Sequence, residues 1–120
     1  MPLILIVEDD PDSADLIAFA VTQLGYRSRV VGTAGLAVAA ARNERPDVIL
    51  LDILLPDASR TAGLDELRKV VPTVPIIMLT ANTDTAIARD SLRRGAFDYI
   101  AKPFDVERLK TVLDAALASS

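Results

Sequence analysis

Polar residues that could carry chemistry stand directly behind the apolar runs of this 120-residue chain. They are Glu8, Asp9 and Asp10 after residues 3–7, Asp52 after residues 48–51, Thr80 after residues 76–79, and Lys102 with Pro103 after residues 99–101. Carboxylates about 4 Å apart repel by roughly 4 kcal/mol at an effective dielectric constant near 20, so a pocket that gathers them needs a cation or raised pKa values. A divalent ion is the simpler solution, and oxygen-only ligands in a water-accessible site favour Mg²⁺.

A bound cation would make one of these carboxylates reactive. Asp52 could then act as a nucleophile toward a phosphoryl donor, because the ion neutralises charge on the attacked group. Lys102 would pair with the phosphate, and Thr80 could donate its hydroxyl to a phosphate oxygen. The residue types therefore predict carboxylate-based phosphoryl chemistry.

The composition excludes several other kinds of chemistry. With no Cys and no His, the chain cannot build a thiol nucleophile, a disulfide, a Cys/His zinc site or a Ser-His-Asp triad. The formal net charge of -4 argues against direct binding of nucleic acid, which draws its affinity from clustered Lys and Arg. The first apolar run is too short for a membrane segment or a signal peptide. We expect one cytoplasmic domain over residues 1–120, with neither nucleic acid nor a membrane as a direct partner.

Five short apolar runs predict five strands. They cover residues 3–7, 28–31, 48–51, 76–79 and 99–101. The first, third and fourth runs are continuously aliphatic, which is the pattern of parallel strands covered by helices on both faces.

The intervals between the runs predict five helices. In residues 12–24, one buried face is predicted to carry Leu16, Ile17, Ala20 and Leu24. The second helix is the Ala-rich stretch 34–44, which stops before a proline. The third and fifth helices follow apolar stripes that consist of Leu64, Leu67 and Val71, and of Val106, Leu109, Leu113 and Ala116.

The fourth predicted helix, residues 85–94, differs from the others. Ile87 and Leu92 are its only large apolar residues. Because few buried contacts can hold such a helix in place, we expect it to be weakly anchored and mobile.

Strands that alternate with helices over short connections predict a doubly wound parallel sheet. Right-handed crossovers then give a flavodoxin-like (βα)5 sandwich with strand order 2-1-3-4-5. Such sheets bind ligands outside the carboxyl ends of their strands, between the first and third strands. The reactive residues noted above all follow those ends.

Four motifs carry a resemblance to a known family. They are ILIVEDD at residues 4–10, VILLD at 48–52 with Leu55 and Pro56 behind it, IMLTA at 77–81, and GAFDYIAKPF at 95–104. In these motifs, and over its whole length, the chain resembles the response-regulator receiver family of two-component signalling. Each motif alone is weak, but the ordered set is specific.

The resemblance implies a role for each reactive residue. Asp52 is expected to accept a phosphoryl group in the presence of Mg²⁺. The ligands of the ion would be the carboxylates of Glu8, Asp9 and Asp52 and the backbone carbonyl of Leu54. The phosphate would be sensed by Thr80 and Lys102.

Four further positions match the family's pattern. Tyr99 stands at the aromatic switch position, Leu54 and Asn82 at positions that tune phosphoryl lifetime, and Pro103 where the family suggests a tight turn with a cis peptide bond. An apolar Leu54 side chain cannot orient a hydrolytic water by hydrogen bonding.

The resemblance also implies partners. Because the chain has no His, the donor phosphohistidine must lie on a sensor histidine kinase or a histidine phosphotransfer protein. The fourth helix, fifth strand and fifth helix would form the face that reaches a downstream effector protein or domain, and a phosphorylation-dependent homodimer is left open. The chain would not be an enzyme beyond magnesium-dependent self-phosphorylation and slow autodephosphorylation.

One feature departs from the family's pattern. Family members usually place a Gly eight residues beyond the phosphoacceptor, whereas Gly63 follows Asp52 by eleven. Three residues are therefore expected to be inserted between Ala58 and Ala62, in the loop beside the site.

Three other functions fit the sequence less well. A magnesium phosphatase with an aspartyl nucleophile, of the haloacid-dehalogenase kind, would need a second Asp where Leu54 stands. A flavin-mononucleotide carrier of the flavodoxin type would need a loop of free amides where Glu8, Asp9 and Asp10 would repel a phosphate. A degenerate receiver that only docks to partners would not need the full set of reactive residues.

Overall fold

The computed structural model of the chain describes residues 1–58, 61–81 and 84–119. Within these residues, five strands alternate with five helices. In chain order they are β1 (Leu3–Val7), α1 (Pro11–Gln23), β2 (Arg27–Val31), α2 (Ala34–Asn43), β3 (Val48–Asp52), α3 (Ala62–Val70), β4 (Ile76–Ala81), α4 (Thr85–Arg93), β5 (Asp98–Lys102) and α5 (Val106–Ala118). The predicted elements are all present, and the predicted ends that differ do so by one or two residues.

The strands form one parallel sheet in the order β2-β1-β3-β4-β5. The predicted flavodoxin-like topology is therefore confirmed. Because side chains alternate across a strand, Leu5 and Val7 pack into the core on one face of the sheet and Ile4 and Ile6 into the core on the other. The first core lies under α2, α3 and α4, and the second lies under α1 and α5.

Local capping explains where three of the helices begin. Asp10 accepts a hydrogen bond from the amide of Ser13 and is followed by Pro11, a residue that suits the first turn of a helix. Thr33 caps α2 in the same way through the amide of Leu36, and Asp105 caps α5. These caps place the start of each helix directly behind a strand end.

The predicted buried face of α1 was wrong at Leu16. Its side chain is 72% exposed, whereas the buried residues of the helix are Ala14, Ile17, Ala20 and Val21. Neighbouring helix residues lie about 100° apart around the axis, so a stripe built on Ile17 turns the preceding residue toward solvent.

Two apolar residues, in α5 and α4, are also more exposed than predicted. Val106 is the first residue of α5 and is about half exposed. Val112 is buried in α5 although the predicted stripe did not include it. In α4, Leu92 is 40% exposed and is not among the buried residues, so Ile87 is the one large apolar anchor of that helix. The expectation of few anchoring residues in α4 is thus met more fully than the sequence indicated.

Candidate functional site

The sheet brings the predicted reactive residues to one edge. Val7 pairs with Leu51 across β1 and β3, so the residues that follow them, Glu8 and Asp52, lie side by side. In β4 and β5, Ala81 pairs with Lys102, and the preceding residue Thr80 pairs with Ala101. The carboxyl ends of four parallel strands therefore supply the site.

Three carboxylates meet at this edge. Oxygen atoms of Glu8, Asp9 and Asp52 lie within 4.8 Å of one another. Glu8 is 3% exposed and Asp52 is 7% exposed, whereas Asp9 is open to solvent. The predicted gathering of acids is confirmed, and its open side is at Asp9.

Lys102 lies across this acidic cluster. Its Nζ is 2.7 Å from Glu8 Oε1 and 3.3 Å from Asp52 Oδ2. Buried carboxylates require a positive partner, and one ammonium group balances one of the three acids. The remaining negative charge and the all-oxygen donor set suit a hard divalent cation such as Mg²⁺, which is commonly held by a few carboxylates together with water.

Burial and neighbouring charges shift two pKa values in the site. Burial raises the pKa of Glu8, the adjacent Asp52 raises it further, and Lys102 opposes both effects in part. Burial alone would lower the pKa of Lys102, but the hydrogen bond to Glu8 and the charges of Asp52 and Glu8 raise it above its usual value. Lys102 therefore stays protonated and keeps its charge beside Asp52.

Asp52 is oriented by the loop that follows it. Its Oδ1 accepts a hydrogen bond of 3.2 Å from the amide of Leu54, and the amide of Ile53 donates to the carbonyl of Leu79. The Leu54 side chain, in contrast, is 71% exposed. The Leu54 backbone thus holds the Asp52 carboxylate, while the Leu54 side chain faces solvent at the rim of the site.

The other predicted site residues differ in their surroundings. Thr80 is buried near the end of β4, and the peptide bond between Lys102 and Pro103 is cis. Tyr99 lies three residues before Lys102, packs against the core under α2, α3 and α4, and accepts a hydrogen bond at its carbonyl from Arg108. Asn82 lies outside the described residues, as do Ser59 and Arg60 of the proposed insertion.

Sequence reasoning missed the apolar surroundings of the site. A cavity of about 600 Å³ opens beside Asp52 and Lys102, and its wall includes Leu16, Phe19 and Phe104. Leu16 and Phe19 are both largely exposed. Two large apolar residues on the outer side of α1 were a signal for such a surface, but the amphipathic pattern of the helix assigned Leu16 to the core.

Sequence reasoning also missed the partners of Asp57. Its Oδ1 accepts from the amide of Ala34 at 2.9 Å and its Oδ2 from the amide of Gly35 at 3.0 Å. These bonds lower the pKa of Asp57, which therefore stays ionised. The Pro56-Asp57 pair does indicate a turn, but no local pattern indicates which amides the carboxylate reaches.

Comparisons with known proteins identify the family. The family model described as the response regulator receiver domain matches residues 4–114. The chain therefore belongs to the response regulator receiver domain family, as its motifs predicted.

Individual relatives agree with this assignment. The chain is 37% identical over 114 residues to the probable transcriptional regulatory protein TcrX of Mycobacterium tuberculosis, and the match covers 95% of this chain and 49% of that protein. The chain thus spans about half the length of this curated relative, and about a quarter of the nitrogen assimilation regulatory protein NtrX of Azorhizobium caulinodans, to which it is 40% identical over 95% of its own length.

One solved structure adds an observation about metal. The receiver domain of the sensor histidine kinase PA1611 from Pseudomonas aeruginosa PAO1 contains a magnesium ion coordinated in its active site cleft. Its TM-score with this chain is 0.89 at 36% identity, with 98% of each chain covered.

No helix among the described residues is long and apolar enough to cross a membrane.

Proposed function

We propose that Asp52 accepts a phosphoryl group from a phosphohistidine of a sensor histidine kinase or a histidine phosphotransfer protein. The observation that carries this proposal is the environment of the Asp52 carboxylate, which is buried beside Glu8 and Asp9 and lies 3.3 Å from Lys102 Nζ. Membership of the receiver family supports it, because receiver domains interact with histidine kinases. The magnesium-bound relative supports a metal-dependent reaction.

The reaction would use the residues at the sheet edge in distinct roles. A carboxylate oxygen of Asp52 attacks phosphorus, the bond from phosphorus to the donor imidazole breaks, and its electron pair stays on the imidazole nitrogen. A magnesium ion held by Glu8, Asp9, Asp52 and the backbone carbonyl of Leu54 would neutralise charge on the transferred group. The product is an aspartyl phosphate on Asp52.

Lys102 and Thr80 would then sense the phosphate. The new group adds about -1.5 to -2 charges beside an ammonium that already touches Asp52 and Glu8. The Lys102 ammonium would move from the carboxylates of Glu8 and Asp52 to a phosphate oxygen. The buried Thr80 hydroxyl would donate a hydrogen bond to a second phosphate oxygen. These two movements would link Asp52 to β4 and β5.

The apolar cavity beside Asp52 suits the approach of a protein donor. Its wall combines Leu16 and Phe19 of α1 with Phe104 and Val106 from the region around the start of α5. Exposed apolar residues of this kind, next to a reactive carboxylate, can bury the side chains of a partner that carries the phosphohistidine. The donor would therefore contact α1 and the β5–α5 connection.

The chemistry is modest in scope. The phosphorylated product is the domain itself, so the protein performs self-phosphorylation from a donor and slow autodephosphorylation rather than turnover of a separate substrate. Leu54 and Asn82 would tune the lifetime of the phosphoryl group, and the exposed apolar side chain of Leu54 offers no hydrogen bond to a hydrolytic water.

The output would be carried by the face formed by α4, β5 and α5. Tyr99 would change its packing against the core under α2, α3 and α4, and α4 would shift between two arrangements that both exist before phosphorylation. This face would engage a downstream effector protein or domain, or a second phosphorylated copy, in the cytoplasm. TcrX is described as a transcriptional regulator about twice as long as this chain, which supports an effector of that class.

Intact-mass spectrometry after incubation with acetyl phosphate and Mg²⁺ tests the acceptor assignment. We expect the protein to gain the mass of one phosphoryl group and the Asp52→Asn variant to gain none, because the amide is not a nucleophile. The matched control is Asp12→Asn, an exposed change on α1 that should leave the mass gain intact.

Chelation of the metal with EDTA should abolish the gain in the unaltered protein. A phosphoryl group on the Asp52→Asn protein, or an undiminished gain in EDTA, would show that another residue or another mechanism is responsible.

A further inference from the structure

The connection between β3 and α3 is unusually long for this fold. It runs from residue 53 to residue 61, whereas the next longest connection, between α3 and β4, runs from residue 71 to residue 75. Connections in such α/β units commonly have about 2–6 residues. Ordering a longer loop costs more conformational entropy, so specific contacts are needed to hold its first half in place beside Asp52.

The described part of this loop folds back on itself. Leu55 and Ala58 form an antiparallel bridge, with Pro56 and Asp57 at the corner of the turn. Leu55 is buried, and Ala58 packs against the core under α2, α3 and α4. The turn thus presents the Asp57 side chain to the start of α2.

Asp57 binds that helix through both oxygens of its carboxylate. Oδ1 accepts from Ala34 at 2.9 Å and Oδ2 from Gly35 at 3.0 Å, while Thr33 already accepts from Leu36. The first amides of a helix have no partner within the helix, and a carboxylate is also favoured there by the helix dipole. Two different side chains therefore cap α2, but only Asp57 also tethers a loop.

The same loop also reaches the acceptor carboxylate. The Leu54 amide donates to Asp52 Oδ1 at 3.2 Å, and Leu54 is the residue whose carbonyl is assigned to the metal in the proposed function. The segment between Asp52 and Asp57 is thus held at one end by β3 and at the other end by α2. Loss of either attachment would let Leu54 move relative to Asp52.

We propose that Asp57 is a positioning residue for phosphoryl acceptance. By binding the amides of Ala34 and Gly35, it holds the β3–α3 connection so that the Leu54 backbone stays beside Asp52. The inference rests on the proposed function of Asp52 and adds a residue that does not itself touch the reacting atoms.

The test compares two ways to remove a cap from α2 in the full chain. Asp57→Ala removes both the cap and the loop tether, and Thr33→Ala removes a cap but leaves the tether. Magnesium affinity is measured by calorimetry without a phosphodonor, and the rate of phosphorylation by acetyl phosphate is measured as a function of Mg²⁺ concentration. We expect Asp57→Ala to raise the Kd for Mg²⁺ about tenfold, with a matching rise in the half-saturating Mg²⁺ concentration, and Thr33→Ala to change neither.

Hydrogen–deuterium exchange gives a readout that does not involve the metal. The amides of Ala34, Gly35 and Leu54 should exchange faster in Asp57→Ala, whereas Thr33→Ala should expose the Leu36 amide alone. Asp57→Asn keeps one acceptor oxygen without the charge, so it should be intermediate in both measurements, and it serves if Asp57→Ala does not fold.

The possible outcomes separate this inference from the proposed function. If the wild-type protein takes up a phosphoryl group but Asp57→Ala binds Mg²⁺ as the wild type does, or no more weakly than Thr33→Ala, Asp57 has no positioning role and the assignment of Asp52 stands. If the wild-type protein takes up no phosphoryl group, both proposals are wrong.

Discussion

Helices α4 and α5 flank the edge strand β5, yet they are anchored very differently. α5 buries Leu109, Val112, Leu113 and Ala116 against one face of the sheet. α4 buries only Ile87, Ala88 and Ser91 against the other. Since a large buried aliphatic side chain contributes about 1.5–3 kcal/mol, α5 is held by three such side chains and α4 by one.

A polar group makes the contrast sharper. Ser91 is fully buried in α4, and within the described residues its hydroxyl is the one buried side-chain polar atom without a hydrogen-bond partner. Arg94, just beyond the helix, forms ion pairs with Asp65 and Asp90, but these groups are exposed and such pairs contribute little. Of the two helices, α4 is therefore the one that can change its packing at low cost, as the proposed switch requires.

The largest expected effect comes from truncating one anchor in each helix. Leu113→Ala should lower the free energy of unfolding by about 3 kcal/mol, because the side chain is fully enclosed and its loss leaves a cavity. Ile87→Ala should cost about 2 kcal/mol, since α4 can settle into the space more easily. Urea denaturation measures both values, and hydrogen exchange should show faster opening of α4 alone in Ile87→Ala.

Equal losses in the two variants, or faster exchange of α5 in Ile87→Ala, would remove the distinction between the helices.

A smaller effect of opposite sign is expected at Ser91. Ser91→Ala removes a buried hydroxyl that lacks a partner and adds a better helix former, so it should raise the free energy of unfolding by about 1 kcal/mol. Thr111→Ala on α5 is the control, because its exposed hydroxyl donates to the carbonyl of Glu107 and its loss should change stability by less than about 0.5 kcal/mol. A loss of stability in Ser91→Ala would mean that the hydroxyl has a partner after all.

The smallest effect concerns the outer surface of α5 and depends on pH. Lys110, and then the Tyr26 hydroxyl, lower the pKa of Asp114. A carboxylate with a lowered pKa adds stability above the usual aspartate value of about 3.9, and this contribution is lost as the pH falls through the lower pKa of the folded state. Asp114→Asn should therefore be less stable than the wild type at pH 7, and the difference should shrink in acid.

Urea denaturation over a pH series measures this difference. A constant gap between Asp114→Asn and the wild type down to the lowest pH would indicate that the side chain acts through packing and not through its charge.

The fold was largely predictable because its signals are local. Continuous apolar runs defined β1, β3 and β4, and the residues that follow them were predicted to meet because parallel strands end at the same edge. The meeting of Glu8, Asp9 and Asp52 follows from that geometry. Leu16 was misassigned because the apolar pattern of α1 allows two overlapping stripes, and only the packed helix distinguishes them.

The amino-acid sequence by itself determined the order of the elements and the set of reactive residue types, since each depends on residues that are close together in the chain. It also determined the family, through the order of four short motifs. Tertiary structure alone decided which groups touch: the Lys102 ammonium on Glu8, and the Asp57 carboxylate on amides more than twenty residues earlier. Such contacts depend on how far each loop reaches and how each helix is rotated against the sheet. These quantities are set by the packing of the whole core, and no local pattern of residues specifies them.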